Sequence, residues 1–328
     1  MMANAEYNAS SRNPRHKIAL VIGNSNYGPE NSLKNTINDA NEMAKLLKKI
    51  GFKIQGDKAQ LNLGYTSMKH ILVDFQASIK KESMVLFYFA GHGIQWENRN
   101  YLIPIDNSNE NNAPLSGSDL RGCAIDAQNI LDEINDRHPF AALFFLDCCR
   151  TYVLRKESFR GSRSRDLPQR SHGLISMPAN VGSLIAFACA PGTTADDGRN
   201  GEAHGLFTKY LLEHLKTPNE DVEKLLRRVR NDVLKASRDE QIPHVTSLLT
   251  YDHICLFEQE DSPQSSHSSV NATTSAPKYK WVPPQPVPGR TIPYSDPIGS
   301  NIEFYQILQE FNGSDEILDF LRIIIEYS

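Results

Sequence analysis

Ala141-Ala142-Leu143-Phe144-Phe145-Leu146-Asp147-Cys148-Cys149-Arg150 decides how the chain is read. Its first six residues form a short apolar run. The length and aromatic content of that run suit a strand buried on both faces better than a helix. The run stops at a carboxylate, two thiols and a guanidinium, groups that do nothing for packing at the mouth of a buried strand. In open parallel sheets, ligands bind at the carboxyl ends of the strands. A second stretch has the same form: Met84-Val85-Leu86-Phe87-Tyr88-Phe89-Ala90 leads into Gly91-His92-Gly93. The two glycines permit a sharp turn and the close approach of another group. If the two strands are parallel neighbours, their ends bring His92 and a cysteine to one edge, and a cysteine–histidine catalytic pair is the chemistry expected there.

Working outward, Lys17 to Gly23 reads as a first buried strand, and Gly23-Asn24-Ser25-Asn26-Tyr27-Gly28 opens like a phosphate-binding loop. Such a loop needs Lys and Ser or Thr after its last glycine. Pro29 and Glu30 follow instead, so nucleotide binding through this motif is rejected. Ile37, Ala40, Met43, Ala44, Leu47 and Ile50 recur at helical spacing over Asn35 to Ile50, with Gly51 as a stop. Phe52 to Ile54 reads as a short strand. Thr66 is expected to cap a helix whose apolar face is Met68, Ile71, Leu72, Phe75 and Ile79. Tyr101 to Pro104 is a short extended piece at an edge, and Ile125, Ile130, Leu131 and Ile134 mark another helix. Ser183 to Cys189 is a further strand. Helices are expected at about 205–216 and 219–237, the second capped by Asn219, before a last strand or two within 245–257. Strands alternating with helices predict an α/β fold with a mainly parallel sheet.

Composition narrows the classes. The chain has 328 residues, a net charge of −4 and 40% hydrophobic residues. That is enough for a proper core and gives no global reason to expect nucleic acid as a partner. Apolar runs of about 7 residues fall far short of the ~20 needed to span a bilayer, so no membrane partner is expected. Met1 to Arg15 is polar, with no secretory core, and residues 1–15 read as disordered. Five cysteines without regular spacing do not make a disulfide framework, and cytoplasmic residence is expected. No paired Cys/His spacing supports a zinc site, no EF-hand loop is present, and no cofactor or metal is expected.

The folded unit is expected to span residues 16–258. Within it, 151–173 reads as a basic, mobile loop carrying Arg155, Lys156, Arg160, Arg163, Arg165 and Arg170. Residues 259–300 read as a Ser/Pro-rich linker. Residues 301–328 return to helical periodicity but are too few for an independent core.

Lys17-Ile18-Ala19-Leu20-Val21-Ile22-Gly23-Asn24, the helix from Leu33 to Leu47 with Asp39, Tyr88 to Gly93, Tyr101 to Asp106 and Leu146 to Arg150 together resemble the caspase-like cysteine peptidases of clan CD, in particular paracaspases and metacaspases. The resemblance covers about Lys17 to Phe257. It implies a caspase-like fold, a mainly parallel six-stranded sheet with helices on both faces, and peptide-bond hydrolysis through an acyl-enzyme.

The family's Asp-any-Cys pattern falls on Asp147, Cys148 and Cys149, which makes Cys149 the expected nucleophile and His92 the expected base and acid. Neighbouring side chains in an extended segment point opposite ways, so only one of the two cysteines can face His92. Cys148 is then expected to pack under the sheet, and Cys123, Cys189 and Cys255 are expected to be packed likewise. No dedicated third member is evident. The backbone amides of Gly93 and Cys149 are the expected oxyanion donors, a glycine at 93 sparing the carbonyl a crowding side chain.

The resemblance assigns Asp39 and Asp147 to a pocket for arginine or lysine, with Asp197, or its neighbour Asp196, as a third carboxylate. Paired carboxylates attract a guanidinium bidentately. Protein or peptide substrates with Arg or Lys before the cut bond are therefore the expected partners, and self-processing in the 151–173 loop is expected. The family also implies a homodimer through the last strand. The alternative is a catalytically silent caspase-like scaffold or peptide-binding module in a signalling complex; the presence of both Cys149 and His92 counts against it.

Overall fold

The computed structural model describes residues 16–29, 31–106, 116–149, 174–190 and 201–259. The expected basic loop, most of the linker and the C-terminal helical segment lie outside them. The elements run β1 (Lys17–Gly23), α1 (Thr36–Lys49), β2 (Lys53–Ile54), a single 3-10 turn (Gln55–Asp57), β3 (Gln60–Leu61), α2 (Tyr65–Ser78), β4 (Met84–Trp96), β5 (Arg99–Leu102), α3 (Leu120–Cys123), β6 (Ile125–Asp126), α4 (Ala127–Asn135), β7 (Ala141–Cys149), β8 (Ser183–Phe187), α5 (Leu206–His214), α6 (Val222–Ser237) and β9 (His244–Ser247).

The main path of the sheet is β2-β1-β4-β7-β8-β9. All its pairings are parallel except the last, where β9 runs antiparallel to β8 at the edge. The chain moves from β1 out to β2, then returns to lay β4 on the other side of β1. The carboxyl ends of β1 and β4 therefore flank a topological switch point, where open α/β sheets form their crevices.

β1, β4, β7 and β8 are buried on both faces, which is why they read as continuous apolar runs rather than as alternation. Period-2 geometry divides them between two cores. On one face Ala19, Val21, Leu86, Tyr88, Leu143 and Phe145 meet α1, α5 and α6, through Met43, Leu47, Phe207, Leu225 and Val229. On the other, Ile18, Leu20, Phe87, Phe89, Phe144 and Leu146 meet α2 and α4, through Leu72, Phe75, Ile130 and Ile134. Phe87 and Phe144 touch across β4 and β7 with ring centroids 5.1 Å apart. Each such side chain contributes roughly 1.5–3 kcal/mol by leaving water.

Several local expectations change. β4 does not end at His92; it continues to Trp96 and turns back through Glu97 and Asn98, both at positive φ, into β5. The glycines around His92 are therefore strand residues, and the sharp turn lies beyond them. Thr66 does not cap α2, whose N-cap is Gly64. α6 is capped by Asp221, whose carboxylate accepts the backbone N–H groups of Glu223 and Lys224. Asn219 instead sits at φ 56° and exchanges two hydrogen bonds with the backbone of Gln259.

At Ile175 the chain is caught by a buried asparagine of β5. Asn100 donates through Nδ2 to the Ile175 carbonyl at 2.7 Å and accepts the Ile175 N–H at 2.8 Å.

Candidate active site

The register between β4 and β7 sets Ala90 opposite Asp147, Gly91 opposite Cys148 and His92 opposite Cys149. Adjacent strands lie about 4.8 Å apart, and paired residues of parallel strands share a face of the sheet. Cys148 falls on the opposite parity. It is buried against α2 and α4, in the cluster that holds Phe89 and Leu146. Among the other cysteines, Cys189 and Cys255 are buried while Cys123 is only partly so.

His92 is buried, and its ring is fixed from two sides. Its Nε2 lies 2.6 Å from the carbonyl oxygen of Asn31. A carbonyl can only accept, so Nε2 carries the proton and, in the neutral ring, Nδ1 carries the basic lone pair. Tyr27 packs on the imidazole with centroids 4.4 Å apart. The Tyr27 hydroxyl accepts the backbone N–H of His92 at 3.0 Å and donates to the Ile103 carbonyl at 2.9 Å. Both groups belong to the loop after β1, the one that begins like a phosphate loop.

The two glycines have distinct reasons. A Cβ at Gly91 would lie 2.6 Å from the Tyr27 hydroxyl, so glycine is what admits that hydroxyl to the strand. A Cβ at Gly93 would meet the Cys148 Cβ at 3.0 Å and its Sγ at 3.1 Å, with Leu174 Cδ2 at 3.1 Å. A side chain at Gly93 would thus be crowded on the Cys148 side of the sheet.

Asp39, on α1, and Asp147, on β7, converge on one buried spot at the start of α5. Asp39 is 1% exposed. Its Oδ1 accepts from His204 Nδ1 at 2.7 Å, and its Oδ2 accepts the backbone N–H of Gly205, the N-cap of α5, at 3.1 Å. Asp147 Oδ2 accepts from the Thr208 hydroxyl at 2.6 Å. Thr208 spends its proton there, so Tyr88, 2.6 Å from Thr208 Oγ1, is the donor in that contact. Burial, followed by the charges of Asp147 and Asp39, pushes the Tyr88 hydroxyl well above its ordinary pKa. Both carboxylates therefore act on the same buried hydroxyl. The start of a helix favours anions, which eases the burial of two carboxylates together. Asp196 and Asp197 lie outside the described residues, as does Arg150.

Sequence reasoning missed Asn31, Tyr27, Thr208 and His204. Asn31 acts through its backbone and leaves no side-chain signal. Tyr27 lies in a stretch whose glycine spacing points only to phosphate. Thr208 and His204 flank Gly205 at the start of a helix that the sequence marks only by its approximate bounds, 205–216.

Residues 16–254 match the family described as the caspase domain. Human mucosa-associated lymphoid tissue lymphoma translocation protein 1 is 26% identical over 222 residues, which cover 67% of this chain and 24% of that protein. Its mouse homolog is 25% identical over the same length. The chain thus matches about a quarter of the length of these curated relatives. Among solved structures, pro-sf-caspase-1 superposes with a TM-score of 0.54 at 18% identity, over 79% of this chain and 99% of that one. Caspase-1 from Spodoptera frugiperda gives 0.51 at 19% identity, over 80% and 98%. These likenesses bear on the fold, and they agree with the six-strand path and flanking helices described above. With the family match extending from the strand that leads into Tyr27 to the end of the sheet, the chain belongs to the caspase-domain family.

Proposed function

We propose that this protein is a cysteine endopeptidase that cuts peptide bonds after arginine or lysine. The observation that carries the reading is the register that pairs His92 with Cys149, combined with a histidine whose Nε2 proton is committed to the Asn31 carbonyl. That commitment leaves Nδ1 as the base. In the proposed reaction His92 Nδ1 takes the Cys149 thiol proton, and the sulfur attacks the scissile carbonyl. His92 then passes the proton to the leaving amine. Water, deprotonated by the same imidazole, hydrolyses the thioester. Backbone amides of Gly93 and Cys149 are assigned to the oxyanion. Asn31 replaces the acidic residue of other triads as the group that orients the base.

Asp39 and Asp147 are assigned to the basic side chain before the cut bond. Their support is convergence: two buried carboxylates from different elements meet the start of α5, Asp39 at Gly205 and Asp147 at Thr208. Self-processing is assigned to the arginine-rich 151–173 connection, and pairing of two copies to the edge strand β9.

The test is reaction of the purified chain with a thiol-reactive peptide ending in arginine, beside a matched peptide ending in aspartate. Labelling of Cys149 by the arginine probe, together with turnover of arginine substrates, is expected. A chain that binds the arginine peptide but neither reacts nor turns over is a scaffold, and the proposal fails.

A further inference from the structure

His204 holds the Asp39 carboxylate that an incoming basic side chain would need. The contact is short, 2.7 Å, and the neighbouring Gly205 N–H takes the other oxygen at 3.1 Å. The segment is tied to α1 from below, since Asn38 Nδ2 donates to the Ala203 carbonyl at 2.6 Å. Asp39 is sealed, with 2% of its side chain exposed, whereas 25% of the His204 side chain reaches solvent. Protons thus reach the imidazole, and through it the charge state of the sealed pair.

We infer that His204 sets how tightly the Asp39 carboxylate can hold a basic side chain, an inference that rests on the reading of Asp39 and Asp147 as the arginine or lysine site. With a neutral imidazole the Asp39–His204 pair carries one negative charge, which a guanidinium can neutralise. With a protonated imidazole the pair is internally neutral, and a cationic side chain meets a cation instead of an unopposed carboxylate. His204 is a specificity-determining residue whose proton and the substrate's positive charge compete for one carboxylate.

The surroundings define the titration. α1 contributes Asp39 and Glu42, the latter paired with Lys45 at 2.6 Å. α5 contributes Lys209, which reaches Glu202 on the preceding segment at 3.5 Å, and Lys216 follows the helix. Lys49 and Glu213 line the same cleft of about 460 Å³ between α1 and α5. Burial holds the imidazole below its ordinary value of 6.5; Lys209 and Lys216 add to this and Glu42 opposes it. A bound guanidinium adds another positive charge and lowers it further. The substrate arginine stays charged across this range, so its own titration does not enter.

The test compares wild type with His204→Asn, whose amide keeps a donor for Asp39 but cannot ionise. KM and kcat are measured on an arginine peptide between about pH 5 and 8. One-proton linkage predicts that the wild-type KM rises about tenfold per pH unit below the His204 titration. In His204→Asn the KM profile is expected to be flat, while the kcat limb set by the dyad is the same in both. Identical KM profiles in the two proteins overturn the inference.

A second arm uses the full chain carrying Cys149→Ala, with the pocket untouched, and follows the His204 imidazole by NMR. Adding N-acetyl-arginine amide is expected to shift its titration to lower pH, and an unmoved titration overturns the inference. Absence of cleavage after arginine or lysine at every pH, in wild type and variant alike, overturns instead the assignment of the pocket.

Discussion

The hydroxyl of Tyr27 sits between two strands, accepting the backbone N–H of His92 and donating to the carbonyl of Ile103. It closes a gap that Gly91 leaves open. Tyr27→Phe keeps the ring against the imidazole but takes away the hydroxyl that accepts the buried His92 N–H, while the Ile103 carbonyl keeps Asn24 Nδ2 at 3.4 Å. The expected cost is about 1–3 kcal/mol of stability. Turnover is expected to fall about tenfold as the imidazole loses its fixed height in the strand, roughly 1.4 kcal/mol in the barrier. Denaturant midpoints and kcat on a basic peptide measure the two effects separately.

Cys148 is buried on the α2 and α4 face, while the register pairs Cys149 with His92. Cys149→Ala is expected to abolish hydrolysis with little change in stability. Cys148→Ala removes a sulfur from the core beside Gly93 and Leu174, so it is expected to lower stability by about 1 kcal/mol and retain most activity. Loss of activity at 148 with 149 dispensable would reverse the assignment.

For specificity, Asp39→Asn or Asp147→Asn is expected to lower kcat/KM on arginine peptides by more than a hundredfold. Breaking a buried charge pair from one side costs about 3–5 kcal/mol. Competing arginine, lysine and aspartate peptides in one reaction, read by mass spectrometry, gives the ratio directly. Cleavage after aspartate at an equal rate would defeat the prediction.

Stability should fall on the acid side through histidines. His16, His204 and His244 all have imidazoles held below 6.5, burial being the first cause in each. The unfolded chain, with the ordinary value, takes up these protons first as pH falls. Stability from this source is therefore complete above about pH 6.5 and declines below it, through the lower folded values. Tyr88 acts at the other end: its raised pKa means that the unfolded chain loses that proton first, so stability declines above about pH 10. Urea midpoints across this range test both limbs, and an acid limb unchanged in His244→Gln would remove His244 from the account.

Self-cleavage is expected between Arg155 and Arg170. Incubating wild type beside Cys149→Ala and mapping new N-termini by mass spectrometry checks it. Wild type that stays intact while cleaving peptides would show that activation does not need the cut.

What could be read from the sequence followed burial. Strands covered on both faces announce themselves as apolar runs, and so Lys17–Gly23, Met84–Ala90, Ala141–Leu146 and Ser183–Phe187 were legible. The carboxylates of Asp39 and Asp147 could be named only through the family motif; the residues that hold them could not. A carbonyl such as that of Asn31 belongs to every residue type, and its role depends on where the loop after β1 passes. The α6 cap shows the same limit: Asn219 and Asp221 both suit the position by chemistry, and only the docking of Ile254 and Gln259 decides between them. Strands as short as β2, β3 and β6 carry too few residues to show a period.

Asn100 gives the sheet an indifference to the continuity of its chain. The segment from Leu174 is held by that side chain and by packing on the Cys148 face, and β8 pairs directly with β7. A cut upstream of it changes the molecule from one chain to two without removing any of these contacts. What changes is molecularity: unfolding now yields two particles, so the midpoint becomes dependent on protein concentration and refolding becomes second order. An intact molecule can recover from transient unfolding alone, whereas a cut one must find its other half.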